Sequence, residues 1–281
     1  MNLHIIDAGY LKLDGGAMFG VVPKVIWQKT NPADENNLCR VAMRCLLIED
    51  GDKLILIDTG IGDKQDERFF KHYHLHGETN IRKAVQTAGF HPEDVTDVFL
   101  THLHFDHVGG AVSFSDENKI AFQLNFPNAR YWSNEAQWQW AITPNAREKA
   151  SFLKENICPI QESGNLQFID IAKTSPFPQF DIIYFDGHTE KQMIPVIKYK
   201  DKNVVFAADI LPTVGHIPLP YVMSYDTRPL LTLNEKEHFL NMVASQNYII
   251  YFEHDPYHEC CRLQHTEKGV RLKETFQLKD L

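Results

Sequence analysis

Apolar runs recur along this chain, and most of them end in Asp, Gly or His. Residues 40–48 followed by 54–57 predict a β-hairpin, with Glu49-Asp50-Gly51-Asp52 as its turn. The second run leads into Asp58-Thr59-Gly60-Ile61-Gly62, where glycine permits sharp backbone bends. Residues 80–88 carry apolar positions at helical spacing, and Gly89 suits the C-terminal cap. Residues 95–100 read as a short buried strand. Further strands are predicted at 181–185 before Gly187-His188, at 196–199, at 204–207 before Asp209, and at 248–252 before His254. Helices are predicted at 133–140, 146–155 and 235–245. Strands in clusters with helices between them predict an α/β protein, its sheets covered by helices on their outer faces. Neither a Pro/Gly-rich linker nor a low-complexity segment divides the chain, so residues 1–281 read as one domain.

The densest chemistry follows the strand at 95–100. There the chain reads Thr101-His102-Leu103-His104-Phe105-Asp106-His107-Val108-Gly109-Gly110. Three imidazoles and a carboxylate fall within six positions, and alternating side chains at a strand end can aim several donors at one point. With 14 His in 281 residues, three specified His positions coincide by chance on the order of once in ten thousand trials. Imidazole and carboxylate donors suit a divalent transition metal, most often zinc, with cobalt, manganese and iron also accepted. One loop cannot complete a catalytic site, which needs about three protein ligands and an open position. His188, Asp209 and His254 each follow an apolar run and are the candidates for the remainder.

Composition narrows the field. The apolar fraction of 43% and aromatic fraction of 11% suffice for a sizeable core. A formal charge of −9 with no basic block argues against a nucleic-acid partner. Five cysteines with no CxxC pair argue against a disulfide framework, and the first residues lack the pattern of a secretory signal. No run reaches the length of a membrane span. A soluble, cytoplasmic protein without a membrane partner is the expectation, with a homodimer left open. Covalent catalysis through a GxSxG elbow finds no support in the chain.

Ile57-Asp58-Thr59-Gly60, the HxHxDH run from His102 to His107, Gly187-His188, Asp209 and His254 occur in that order along nearly the whole chain. In this the sequence resembles the metallo-β-lactamase-fold hydrolases. The resemblance implies a four-layer αββα sandwich and two metal ions. By motif position, His102, His104 and His188 would hold one ion, and Asp106, His107 and His254 the other. Asp209 would bridge them, and Asp58 would orient the ligand loops from behind.

Within that superfamily, the segment Asp14-Gly15-Gly16-Ala17-Met18-Phe19-Gly20-Val21-Val22-Pro23 looks like the N-acyl-homoserine lactonases, the quorum-quenching group, and HLHFDHVGG points the same way. That likeness implies a small-molecule lactone or ester substrate, opened by attack of a metal-bridging hydroxide. Asp106 or Asp209 would carry the proton to the leaving alkoxide. The alternative on the same dinuclear site is an aryl ester or organophosphate (phosphotriester) hydrolase, or a phosphodiesterase. One departure stands out: lactonases of this group often carry a Tyr three residues after the bridging Asp, where this chain has Pro212. His216 or Tyr225 is the candidate replacement donor, and Met18, Phe19 and Trp27 the candidate apolar wall for an acyl tail. His72, His74 and His76 alternate as if on one strand face, but no adjacent acid completes a metal set, and a solvated or lid segment is expected there.

Overall fold

The computed structural model describes residues 1–281. The first sheet contains β1 (Asn2–Asp14), β2 (Leu38–Asp50), β3 (Lys53–Ile57), β4 (Asp97–Phe99), β7 (Arg130–Ser133) and β8 (Leu166–Phe168), in that spatial order. Between β4 and β7 in sequence, β5 (Val112–Phe114) and β6 (Phe122–Leu124) form a separate two-stranded ribbon. The second sheet has the order β14 (Gly269–Phe276), β13 (Cys260–Thr266), β12 (Ile249–Tyr251), β11 (Lys202–Phe206), β10 (Gln192–Tyr199), β9 (Phe180–Phe185). The chain divides into two compact units, Met1–Leu11 with Met43–Pro176 and Lys12–Ala42 with Phe177–Leu281, the boundaries falling inside β1, inside β2 and between β8 and β9. No helix is long and apolar enough to cross a membrane.

Local chemistry explains most elements. The predicted hairpin forms, β2 pairing antiparallel with β3 and Gly51 turning the chain at φ 62°. The helix Ile81–Thr87 starts where the Asn80 side chain accepts the Lys83 N–H at 3.1 Å, and Gly89 at φ 93° ends it. In the first unit β3, β4, β7 and β8 run parallel, which requires crossover connections, and the central strands β3 and β4 are buried along nearly their whole length.

Two expectations shift. The helix placed at 146–155 lies instead at Lys154–Glu162, after a single 3₁₀ turn at Lys149–Ser151. It contains Pro159, which sequence rules read as a helix breaker. Burial of Asn156, Ile157 and Ile160 along one face outweighs the lost backbone hydrogen bond. The last helix begins at Pro229 rather than 235, proline being favourable in a first turn. His72, His74 and His76, expected in a solvated or lid segment, fall at and just beyond the end of a helix. His72 lies in the last turn of the helix Glu67–Tyr73, His74 caps it in the left-handed region at φ 46°, and His76 bridges to Tyr10 through paired backbone hydrogen bonds.

Candidate metal centre

In the first unit, β3 and β4 are parallel and in register from Ile55↔Asp97 to Ile57↔Phe99, so Asp58 emerges beside the start of the His loop. Asp58 accepts the Thr101 N–H at 2.8 Å and the Thr101 hydroxyl at 2.6 Å, pinning the loop to the neighbouring strand end. The short helix Phe105–Val108 follows His104 directly and carries Asp106 and His107. Gly110 lets this loop lie flat on the turn after β3: a Cβ there would stand 2.1 Å from the Thr59 carbonyl oxygen. Thr59 secures the contact, its N–H and hydroxyl both donating to the His107 carbonyl at 2.7 and 2.8 Å.

Each histidine of the loop has one ring nitrogen engaged by the protein. His107 Nδ1 lies 2.9 Å from Asp58 Oδ2, and His104 Nε2 lies 2.9 Å from Glu148 Oε1. His102 Nδ1 lies 3.1 Å from the Thr101 hydroxyl, whose proton goes to Asp58. The remaining nitrogens, His102 Nε2 and His104 Nδ1, approach to 3.0 Å of each other, and His107 Nε2 lies 3.9 Å from Asp106 Oδ1. All three rings are buried.

In the second unit, the parallel pair β11 and β12 is in register at Phe206↔Tyr251, so Asp209 and His254 each lie three residues beyond a shared end point. His188 follows Gly187, whose lack of a side chain leaves room for the Thr232 backbone; a Cβ would come within 2.5 Å of the Thr232 nitrogen. Again each imidazole has one nitrogen engaged: His188 Nδ1 with Asp226 Oδ1 at 2.8 Å, and His254 Nδ1 with the Ala42 carbonyl at 2.9 Å. Asp209 lies between the other two nitrogens, Oδ2 3.0 Å from His188 Nε2 and Oδ1 2.9 Å from His254 Nε2. Burial works against a charge on His188, but Asp209 and Asp226 outweigh it and raise the ring to about 10.

This donor chemistry fits divalent metal ions. Fixing one nitrogen of an imidazole by a carboxylate, hydroxyl or carbonyl selects the tautomer whose other nitrogen carries the lone pair, the usual outer arrangement of a metal-bound histidine. Five rings share it here.

The residues proposed for substrate fall in different settings. Met18, Phe19 and Trp27 are interior, Phe19 stacking on Trp27 at 5.1 Å and on His216 at 4.3 Å. His216 has both nitrogens engaged, Nε2 by the Met18 carbonyl at 2.9 Å and Nδ1 by the Thr213 hydroxyl at 2.8 Å. Burial pushes it down to about 3, so it is neutral. Tyr225 is exposed. An aromatic group that sequence reading passed over lies beside the His loop. Phe69 and Tyr73 pack on Phe105 at 5.3 and 4.9 Å, and burial, with Asp106 nearby, pushes the Tyr73 phenol up to about 12. Their four-residue spacing after the capping Asp66 was a readable helical signal. Glu148 and Asp226 had none, because only the folded chain brings them to their histidines.

Comparison with known proteins agrees with this chemistry. Residues 44–254 match the family model described as the metallo-beta-lactamase superfamily. The chain belongs to that superfamily, has its fold, and is a metal-dependent hydrolase. It is 25% identical over 267 residues to an N-acyl homoserine lactonase of Bacillus cereus, covering 90% of this chain and 93% of the relative. A probable metal-dependent hydrolase from Staphylococcus aureus has a similar structure, with a TM-score of 0.87 at 28% identity over 100% of this chain and 98% of that one. The structure of AidC, a dizinc quorum-quenching lactonase bound to an N-hexanoyl-homoserine product, gives 0.77 at 24% identity over 98% and 95%.

Proposed function

We propose that this protein opens the lactone ring of N-acyl-homoserine lactones, using two divalent metal ions with zinc the first choice. One ion would rest on His102, His104 and His188, the other on Asp106, His107 and His254, with Asp209 serving both. The observation that carries the reading is the Asp209 carboxylate, one oxygen 3.0 Å from His188 Nε2 and the other 2.9 Å from His254 Nε2. A carboxylate so divided can give one oxygen to each ion. Two divalent ions, when bound, supply an activated water near neutral pH and polarise the carbonyl under attack.

The chain's own residues do the rest. Asp58, Thr101, Glu148, Asp226 and the Ala42 carbonyl hold the five rings with their donor nitrogens selected. Asp106 or Asp209 accepts the proton of the attacking water and passes it to the ring oxygen as the C–O bond breaks. Phe69, Tyr73 and Phe105 offer the apolar face for the acyl tail, with Phe69 and Tyr73 only partly buried. Support for the substrate class comes from the B. cereus lactonase, matched along nine-tenths of both chains. The odd count of cysteines, without a CxxC pair, supports a reducing cytoplasmic setting.

The test is a substrate panel on protein of known metal content: homoserine lactones of several acyl lengths, an aryl ester and a phosphotriester. Ring opening that a chelator abolishes and zinc restores is the expected result. Turnover of the ester or phosphotriester with the lactones untouched would transfer the assignment to that class.

A further inference from the structure

We infer that Glu148, outside every recognisable motif, is the positioning residue that decides which nitrogen of His104 faces the metal. The inference rests on the reading of His104 as a ligand. Glu148 is buried in the first unit, and three groups converge on its carboxylate. His104 Nε2 lies 2.9 Å from Oε1, while the Trp140 indole N–H and the Asn145 amide donate to Oε2 at 2.6 and 3.1 Å. Asn145 cannot simply turn over, because its Oδ1 accepts the backbone N–H groups of Arg147 and Glu148 at 2.9 and 3.1 Å. A carboxylate facing fixed donors accepts only, so His104 must carry its proton on Nε2 and present the Nδ1 lone pair. That nitrogen is the one 3.0 Å from His102 Nε2. The Phe152 ring, 4.9 Å from the imidazole, packs against it.

Glu148→Gln probes this directly. If the amide oxygen faces His104, its NH₂ meets the Trp140 and Asn145 donors. If the amide reverses, its NH₂ donates to His104 Nε2 and drives the proton onto Nδ1. The first sets the NH₂ against two donors and the second against a single ring nitrogen that can shed its proton, so the second is favoured, and it opposes metal binding through His104. Chelator competition should show one of two zinc ions held about 10–100-fold more weakly, and histidine ¹⁵N spectra of the zinc-free protein should show His104 changing tautomer. Trp140→Phe, which keeps the carboxylate and removes one donor, should show a smaller loss in the same direction and serves alone if Glu148→Gln does not fold. Unchanged zinc affinity in whichever variants fold, with the His104 tautomer unaltered, overturns the inference. A wild-type protein that binds no zinc would instead overturn the metal reading on which it rests.

Discussion

Asp58→Asn should disarm the metal centre while leaving the fold nearly intact. The substitution preserves shape, and Asn tolerates the left-handed backbone of this position, φ 57°. Its effect is on protons. With the amide oxygen kept at the Thr101 N–H, where Asp58 Oδ1 accepts at 2.8 Å, the new NH₂ occupies the place of Oδ2. That oxygen now accepts from His107 Nδ1 at 2.9 Å and from the Thr101 hydroxyl at 2.6 Å. Facing a donor, His107 must move its proton to Nε2. The Thr101 hydroxyl must turn its own proton toward His102 Nδ1, 3.1 Å away, which moves the His102 proton to Nε2 as well. Two rings would then present N–H where each should present a lone pair. Disturbing the outer partner of one metal-bound histidine costs about 10–100-fold in affinity, so two give on the order of 10²–10⁴. Every hydrogen bond can still be made, though charge-assisted bonds become neutral ones, each weaker by about 1 kcal/mol. Relief of the buried carboxylate offsets part of that. The expected result is a chelator-competition titration with zinc affinity reduced at least about a hundredfold, roughly 2.7 kcal/mol, beside a urea curve of the zinc-free protein shifted by no more than about 2 kcal/mol. Wild-type zinc affinity in Asp58→Asn would refute the tautomer argument. A collapse of stability matching the loss of zinc would refute the claim that the residue acts on protons rather than on folding.

Other consequences are equally accessible. Gly110→Ala forces a Cβ to within 2.1 Å of the Thr59 backbone carbonyl, in a turn that the two Thr59 hydrogen bonds to His107 hold against the loop, and chemical denaturation should record a loss of about 3 kcal/mol or more. His216 is held neutral at about 3 by burial, whereas the unfolded ring takes a proton near its ordinary value of about 6.5. Between those values the unfolded state binds more protons, so its contribution to stability is complete above about 6.5 and is lost as pH falls toward 3. Urea midpoints across that range should fall with acid, and His216→Gln should flatten the slope; an equal slope in the variant would contradict the assignment. Phe69→Ala removes ring contacts to Phe105 and Tyr73 and should raise KM for long-chain lactones about tenfold. Short-chain lactones and kcat should change little, and equal effects on both lengths would dismiss the aromatic face as the tail site.

What the sequence determined by itself was the local order. Alternation and turn residues marked the hairpin of β2 and β3; Asn80 and Gly89 bracketed their helix; apolar runs ending in His or Asp located the donors. All of these depend on neighbours a few positions apart, where backbone geometry and capping chemistry act. The helix containing Pro159 escaped because burial of Ile157 and Ile160 overruled a local penalty. The alternation of the histidines at 72, 74 and 76 gave no sign of the helix Glu67–Tyr73, because alternation takes no account of where a helix ends. Only tertiary structure decided how each imidazole is used. Glu148 reaches His104 across 44 positions, Asp226 reaches His188 across 38, and the Ala42 carbonyl reaches His254 across 212. A tautomer is set by the one polar group beside a ring nitrogen, and that neighbour is chosen by the path of the folded chain, which leaves no periodicity in the sequence.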